Sequence, residues 1–449
     1  MAKRDTNRGR KRLAAAAWAA ALLASWSSAR AQVIAPPVQL PQVQLPTRGL
    51  QRTVDGVLQR TDVQALRDVR KLRIRALLRD NRAVLEADPR GAVIIRNEVA
   101  ALSPTPEALD RARSEGFSVG RTRTLEGLGV TIVVLQAPPG MPTRRALQRL
   151  RDADPSGVYD FNHVYAEGGE VSTSSARAIR ATAESSGAVN AKVGLIDGGV
   201  ERTHAVFRDV KIHDHGCAGS TVPSAHGTAV ASLIAGNTAE FHGAAPGAQL
   251  YAADVYCGLP SGGAIDAIAD AFAWLSREGV PVINVSLVGP PNSLLQQIVR
   301  VVTSRGHIVV AAVGNDGPGA PPLYPAAYPE VIAVTGVDAR KRALLEACRG
   351  KHVDFAAPGA DMSAAGVEPA FGLVRGTSFA APIVAGLLAR QFETLDRSRA
   401  EAAVAALIAQ AADLGTRGRD KVYGDGLVGD SLRPSEKLTG FPAPKLSGK

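Results

Sequence analysis

The chain has 449 residues, 45% of them hydrophobic and only 4% aromatic, with a net charge of +10 from 52 Lys and Arg against 42 Asp and Glu. That length and apolar content suffice for two cores, and no stretch reaches the ~18 uninterrupted apolar residues that a permanent membrane span needs. The basic excess lies wholly in residues 1–170, with 27 basic and 17 acidic side chains, while the rest balances at 25 of each; with no zinc-finger spacing and no RNA-recognition motif, nucleic acid is not an expected partner.

The first twelve residues are basic, 13–24 are a short Ala- and Leu-rich run, and Ala29-Arg30-Ala31 fits a small-residue cleavage site. This reads as a secretory signal peptide over 1–31, so the product is expected to be exported, to a periplasm or beyond, without a membrane anchor. Residues 32–90 begin as a proline-punctuated linker, from Pro36 to Pro46, and continue as an Arg- and Leu-rich segment of helical spacing. From 91 to 170 the pattern predicts a small α+β unit, with strands over 93–101, 131–136 and 158–165 and helices over 105–116 and 143–152. Residues 171–187 read as a linker, and the polar, small-residue stretch 167–183 as an exposed site for cleavage.

Over 188–430, apolar strand runs at 193–196, 250–255, 282–285, 308–312 and 331–335 alternate with helices near 227–235, 264–277, 294–305 and 378–391. Such alternation predicts an α/β domain, a mostly parallel sheet with helices on both faces. Residues 431–449 are a short tail. Three motifs in this domain carry chemistry. Asp197 ends an apolar strand, where open α/β sheets place their sites. His226 opens an Ala-rich helix, and its unperturbed pKa near ~6.5 suits a general base. Ser378, in Gly376-Thr377-Ser378-Phe379-Ala380-Ala381-Pro382, opens another helix and is a nucleophile that such a base would activate. Asn315, after the strand 309–313, offers an amide for a developing oxyanion.

The order Asp, His, Ser, with Val282-Ile283-Asn284-Val285-Ser286-Leu287, the Tyr324-Pro325 motif and Val353-Asp354-Phe355-Ala356-Ala357-Pro358-Gly359 in sequence, resembles the subtilisin family of serine proteases (peptidase S8). The resemblance implies Asp197, His226 and Ser378 as triad, Asn315 with the Ser378 backbone N–H as oxyanion hole, and protein or peptide substrates adding as a strand along Ser286, Leu287 and Val288, with Gly289, Ala312, Val313, Gly314 and Leu323 lining the cleft. It implies no cofactor for catalysis; structural calcium is common in the family, but no dense acidic loop assigns it here. The α+β unit resembles the family's inhibitory, ferredoxin-like pro-domain, an intramolecular chaperone that a monomeric zymogen would cleave off. In the family's topology Cys217 and Cys257 lie on neighbouring strands, which favours them as a disulfide with Cys348 left over; the other two pairings stay open. His213-Asp214-His215 reads as a surface loop, and no metal is assigned to it.

Two departures from the family pattern concern the site. Gly198 stands where the family usually has a hydroxyl beside the catalytic Asp, so Asp197 must find support from backbone or water, or hold His226 less rigidly. Val288 and Leu323 stand where the family often has glycine, which predicts a shallow pocket for small or medium apolar side chains. The competing reading is a silent scaffold that binds extended peptides or a partner protein.

Overall fold

In the computed structural model, which describes residues 63–176, 191–367 and 371–433, the alternating patterns form two layered parts of one compact unit. The expected signal peptide, the linker before residue 63, residues 177–190 and the tail beyond 433 lie outside the described residues.

The first part starts with the helix Val63–Asp80 and continues through strands β1 (Leu85–Ala87), β2 (Val93–Leu102), β3 (Ser118–Leu125), β4 (Val130–Gln136) and β5 (Val158–His163), with helices Pro106–Ser114 and Thr143–Ala153 between them. The sheet runs β1-β2-β4-β3, with β5 also on β2, and all its pairings are antiparallel. Without β1 the order is β5-β2-β4-β3, the ferredoxin-like arrangement that a β-α-β-β-α-β sequence produces. Strands β1 and β3 were not anticipated. The residues of β3 alternate Arg and Thr with hardly an apolar one, because its outward face meets charge rather than core. Arg121 bonds Glu98 at 2.7 and 2.8 Å, and Asp266 of the second part at 2.7 and 3.1 Å. Burial alone would raise the Asp266 pKa; Arg121 and Arg123 outweigh it and hold the carboxyl below its ordinary value. This contact is therefore charged at neutral pH.

Beyond β5 the chain forms two short strands, β6 (Ala166–Glu167) and β7 (Glu170–Ala176), and then enters the second part. Here lie β8 (Lys192–Asp197), β9 (Ile212–Gly216), β10 (Gln249–Asp254), β11 (Val282–Val285), β12 (Leu287–Val288), β13 (Ile308–Ala312), β14 (Ile332–Val337), β15 (Val353–Pro358), β16 (Met362–Ala365) and β17 (Phe371–Arg375). Among the described residues, seven of these form one parallel sheet in the order β15-β14-β13-β11-β8-β10-β9. Successive residues face opposite layers: Val193 and Leu195 pack with the helices Ala225–Ala235 and Thr377–Ala389, Ile196 with Ile265–Arg277 and Ser293–Ser304. Both faces are covered, which is why the strands read as continuous apolar runs.

With few aromatics, close backbone approach replaces bulk. A Cβ on Gly386 would lie 2.6 Å from the Ala244 Cβ, so only glycine fits there. Cys217 and Cys257 form the disulfide, with Cα atoms 5.3 Å apart at a sequence separation of 40, which in the chain-entropy view contributes about 4 kcal/mol. Cys348 is buried in the core.

The His213-Asp214-His215 stretch is not a loop. It lies in the edge strand β9, where His213 stacks on Tyr251 at 4.3 Å between centroids, and His215 stacks on Trp274 at 4.8 Å with Nε2 3.0 Å from Asp270. Aromatic stacking orders both imidazoles against the neighbouring elements.

Candidate active site

Asp197 is the last residue of β8 and fully buried. The helix Ala225–Ala235 starts against it, capped by Ser224, whose Oγ accepts from Gly227 N at 2.9 Å. Two glycines make this approach close: a Cβ on Gly227 would lie 2.2 Å from the Gly198 carbonyl oxygen, and one on Gly198 would lie 2.3 Å from the Ser224 Oγ. The cap thus occupies the space that a hydroxyl-bearing residue at 198 would need. In place of that hydroxyl, the Gly198 N–H donates to Asp197 Oδ1 at 2.7 Å.

The result holds His226 firmly. Its Nδ1 lies 2.9 and 3.0 Å from the two Asp197 oxygens, and its Nε2 is buried with no hydrogen-bond partner among the described residues. Burial alone would lower the pKa of His226. The Asp197 charge, followed by that of Glu167, outweighs it and raises the value to about 9. Glu167, although exposed, brings its carboxylate within 4.8 Å of both His226 and Asp197.

Ser378 is the second residue of the helix Thr377–Ala389 and is buried. Its Oγ donates to the Ser286 carbonyl at 3.3 Å, while the Ser286 Oγ donates to the Ser378 carbonyl at 3.0 Å and accepts from Asn284 Nδ2 at 2.9 Å. Asn315, on the loop after β13, is fixed by the same helix: its Oδ1 accepts from Thr377 N at 3.1 Å, and the Thr377 Oγ1 accepts from Gly314 N at 3.1 Å. Thr377 thereby aligns the amide of Asn315 with the helix start.

Of the residues expected to line a substrate cleft, Ser286, Leu287, Val288, Gly289, Gly314 and Leu323 lie around Ser378 and the β6 segment, whereas Ala312 and Val313 are buried in the core on either side of the sheet. Leu287 and Val288 form β12, Gly289 exchanges backbone bonds with Tyr324 at 2.9 and 3.0 Å, and the Leu323 side chain lies over Gly314. The cleft is occupied by the chain itself. β6 pairs antiparallel with β12, matching Glu167 to Leu287 and Ala166 to Val288, and Gly168 follows beside Ser378. The stretch expected as an exposed linker is therefore partly strand and partly buried, because its backbone groups are taken up by β12 on one side and by β17 on the other. Tyr165, Glu167, Gly168, Ser224 and Thr377 had not been singled out; the adjacent glycines in Tyr165-Ala166-Glu167-Gly168-Gly169 were the available signal.

Residues 189–426 match the subtilase family, peptidase S8. This chain is a subtilase. It is 35% identical to subtilisin DY of Bacillus licheniformis over 224 residues, covering 47% of this chain and 80% of that one. It is also 32% identical to subtilisin E of Bacillus subtilis (strain 168) over 264 residues, 55% and 67% of the two chains. With M-protease of Shouchella clausii (strain KSM-K16) it shares 38% identity over 167 residues, 36% of this chain and 43% of that relative. Among solved structures, fervidolysin from Fervidobacterium pennivorans, a keratinolytic enzyme related to subtilisin, superposes with a TM-score of 0.63 at 19% identity over 78% of this chain and 62% of its own, a likeness of fold. Membership of the family identifies the subtilase domain as a serine-type endopeptidase, one that needs no cofactor for catalysis. Among the described residues two groups could offer three close ligand atoms to a cation, Glu167 with Asp197 and His226, and Asp254 with the disulfide cysteines. The first is the site just described, and the second is committed to the S–S bond.

Proposed function

We propose that the chain is an exported serine endopeptidase made as a zymogen, in which Asp197, His226 and Ser378 act as the triad, Asn315 and the Ser378 N–H as the oxyanion hole, and the ferredoxin-like unit as inhibitor and intramolecular chaperone. The observation that carries this reading is the pairing of His226 Nδ1 with both Asp197 oxygens beside a helix that begins at Ser378. With Nδ1 protonated and directed at Asp197, Nε2 is the nitrogen left to take the Ser378 proton and deliver it to the leaving amine. The basic and apolar start of the sequence supports export, and the docking of the small unit through Arg121 and Asp266 supports inhibition before its release.

One observation favours the silent-scaffold reading: the Ser378 Oγ donates to Ser286 rather than to His226. Catalytic hydrogen bonds often form or tighten only around a reacting substrate. Fluorophosphonate labelling decides between the readings. The processed chain should take up one label, and Ser378→Ala none; a processed wild type that ignores the reagent makes the chain a scaffold.

The charge around His226 has a consequence for maturation. The base must be neutral, so with its pKa raised to about 9 in the intact chain, self-cleavage should accelerate as pH rises toward that value. Glu167→Gln removes one of the two charges that raise it. The midpoint of the processing-rate profile should move to lower pH, and processing at pH 7 should quicken, about tenfold for each pH unit the midpoint moves. Intact-mass time courses at several pH values measure it, and an unmoved midpoint would show that Glu167 has no hold on the base.

A further inference from the structure

We propose that the bond this subtilase cuts in its own chain is Gly168–Gly169, and that its cleft is built for glycine before the cut, so that it selects extended protein segments of the form aromatic-x-x-Gly-Gly. The inference rests on the serine endopeptidase reading and adds to it the scissile bond and the substrate class.

The position of the bond follows from three contacts. The Gly168 N–H donates to the Ser286 carbonyl at 3.4 Å, which continues the β6–β12 ladder to the nucleophile. A Cβ on Gly168 would lie 2.7 Å from the Ser378 Oγ. A Cβ on Gly376 would lie 3.1 Å from the Gly168 carbonyl oxygen and 2.9 Å from the Asn315 Nδ2, so that oxygen and that donor border one small volume. Residues on both sides are held as strands, Ala166 and Glu167 on β12 and 170–176 on β17, and only the two glycines cross between them.

The same contacts set the selectivity. From Gly168 a side chain would point at Val288, whose Cγ atoms lie 3.5 and 3.8 Å from the Cβ position. Behind it, Leu323 Cδ1 sits 2.4 Å from where a Gly314 Cβ would be, and Val288 Cγ1 is 3.5 Å from the same point. These two side chains narrow the recess on that side, which disfavours a large group there. A Cβ on Gly169 would lie 2.6 Å from the Phe379 ring, so glycine is favoured after the cut as well. The grip moves upstream to Tyr165. It is fully buried, its ring covers Gly289, its hydroxyl donates to the Pro290 carbonyl at 2.6 Å, and its backbone bonds Gly263 at 2.8 Å.

In the reaction the Ser378 Oγ bonds to the Gly168 carbonyl carbon as His226 takes its proton. The Gly168–Gly169 C–N bond breaks as that proton passes to the Gly169 nitrogen, and water then hydrolyses the ester to leave a Gly168 carboxylate.

The test uses the full chain and two quenched peptides, Tyr-Ala-Glu-Gly-Gly-Ser and Tyr-Ala-Glu-Phe-Gly-Ser, with fluorophosphonate labelling in parallel. The processed enzyme should begin at Gly169, and it should cut the glycine peptide at Gly-Gly with kcat/KM about 100-fold above the phenylalanine peptide. Gly168→Phe should stop processing at this bond. Val288→Gly combined with Leu323→Gly, checked for folding by the label, should narrow or reverse the peptide preference. A labelled enzyme that starts elsewhere, or that prefers phenylalanine, overturns the inference while leaving the endopeptidase reading intact; an enzyme that neither labels nor cuts removes both.

Discussion

Alanine at Ser378 or at His226 is expected to lower the rate of self-cleavage by about 10⁶-fold, and the double variant should be no slower than either single one. The magnitude is that of subtilisin, in which the nucleophile and the base act as a unit. The same logic applies here, and the Ser378 side chain can be removed with little cost to the helix start. Ser378 makes one side-chain bond, to the Ser286 carbonyl at 3.3 Å, and the Ser286 hydroxyl anchors that turn from the other side through the Ser378 carbonyl. Asp197→Ala should cost less, about 10⁴-fold, since His226 keeps its place at the capped helix start between Ser224 and the Phe379 ring. Intact mass against time gives these rates, and thermal unfolding of each variant separates catalysis from folding. Additive losses in the Ser378 and His226 pair would mean that the two do not share one step.

The parts of this site that were legible in the sequence are those in which chemistry or burial restricts residue type. The strands of the parallel sheet are covered on both faces, so they appear as unbroken apolar runs, and the helices of His226 and Ser378 pack so closely that Ala and Gly dominate them. What was not legible depends on docking. β3 resembles a polar loop because Arg121 and Arg123 reach carboxylates more than 140 residues away in sequence. The Tyr165–Gly169 stretch has no strand pattern of its own, as β6 is two residues long and exists only where β12 receives it. At Gly198 the missing hydroxyl left two outcomes open, and the backbone one holds: the Gly198 N–H supports Asp197, while Ser224, remote in sequence, fills the space in a way residue type alone could not show. The bulk of Val288 and Leu323 was apparent from residue type, but how little room they leave was not, because that depends on Leu323 lying against a glycine at φ 95°.

Asn315→Ala should lower kcat by about 10²–10³-fold with little change in KM, because the amide is asked to bind an oxygen that becomes charged only in the transition state. Two functions of this side chain have to be separated. Nδ2 faces the volume next to the Gly168 carbonyl oxygen, while Oδ1 accepts from Thr377 N and so helps to seat the helix that carries Ser378. Alanine removes both. Asn315→Asp keeps an oxygen for Thr377 and replaces the donor with a negative charge, so it should be at least as slow as alanine if the donor is what matters. Measured on the processed enzyme with the glycine peptide, recovery of most activity by Asp would assign Asn315 a positioning role alone. Equal or greater loss leaves Nδ2 as the group that stabilises the developing oxyanion, with Thr377 as the residue that aims it.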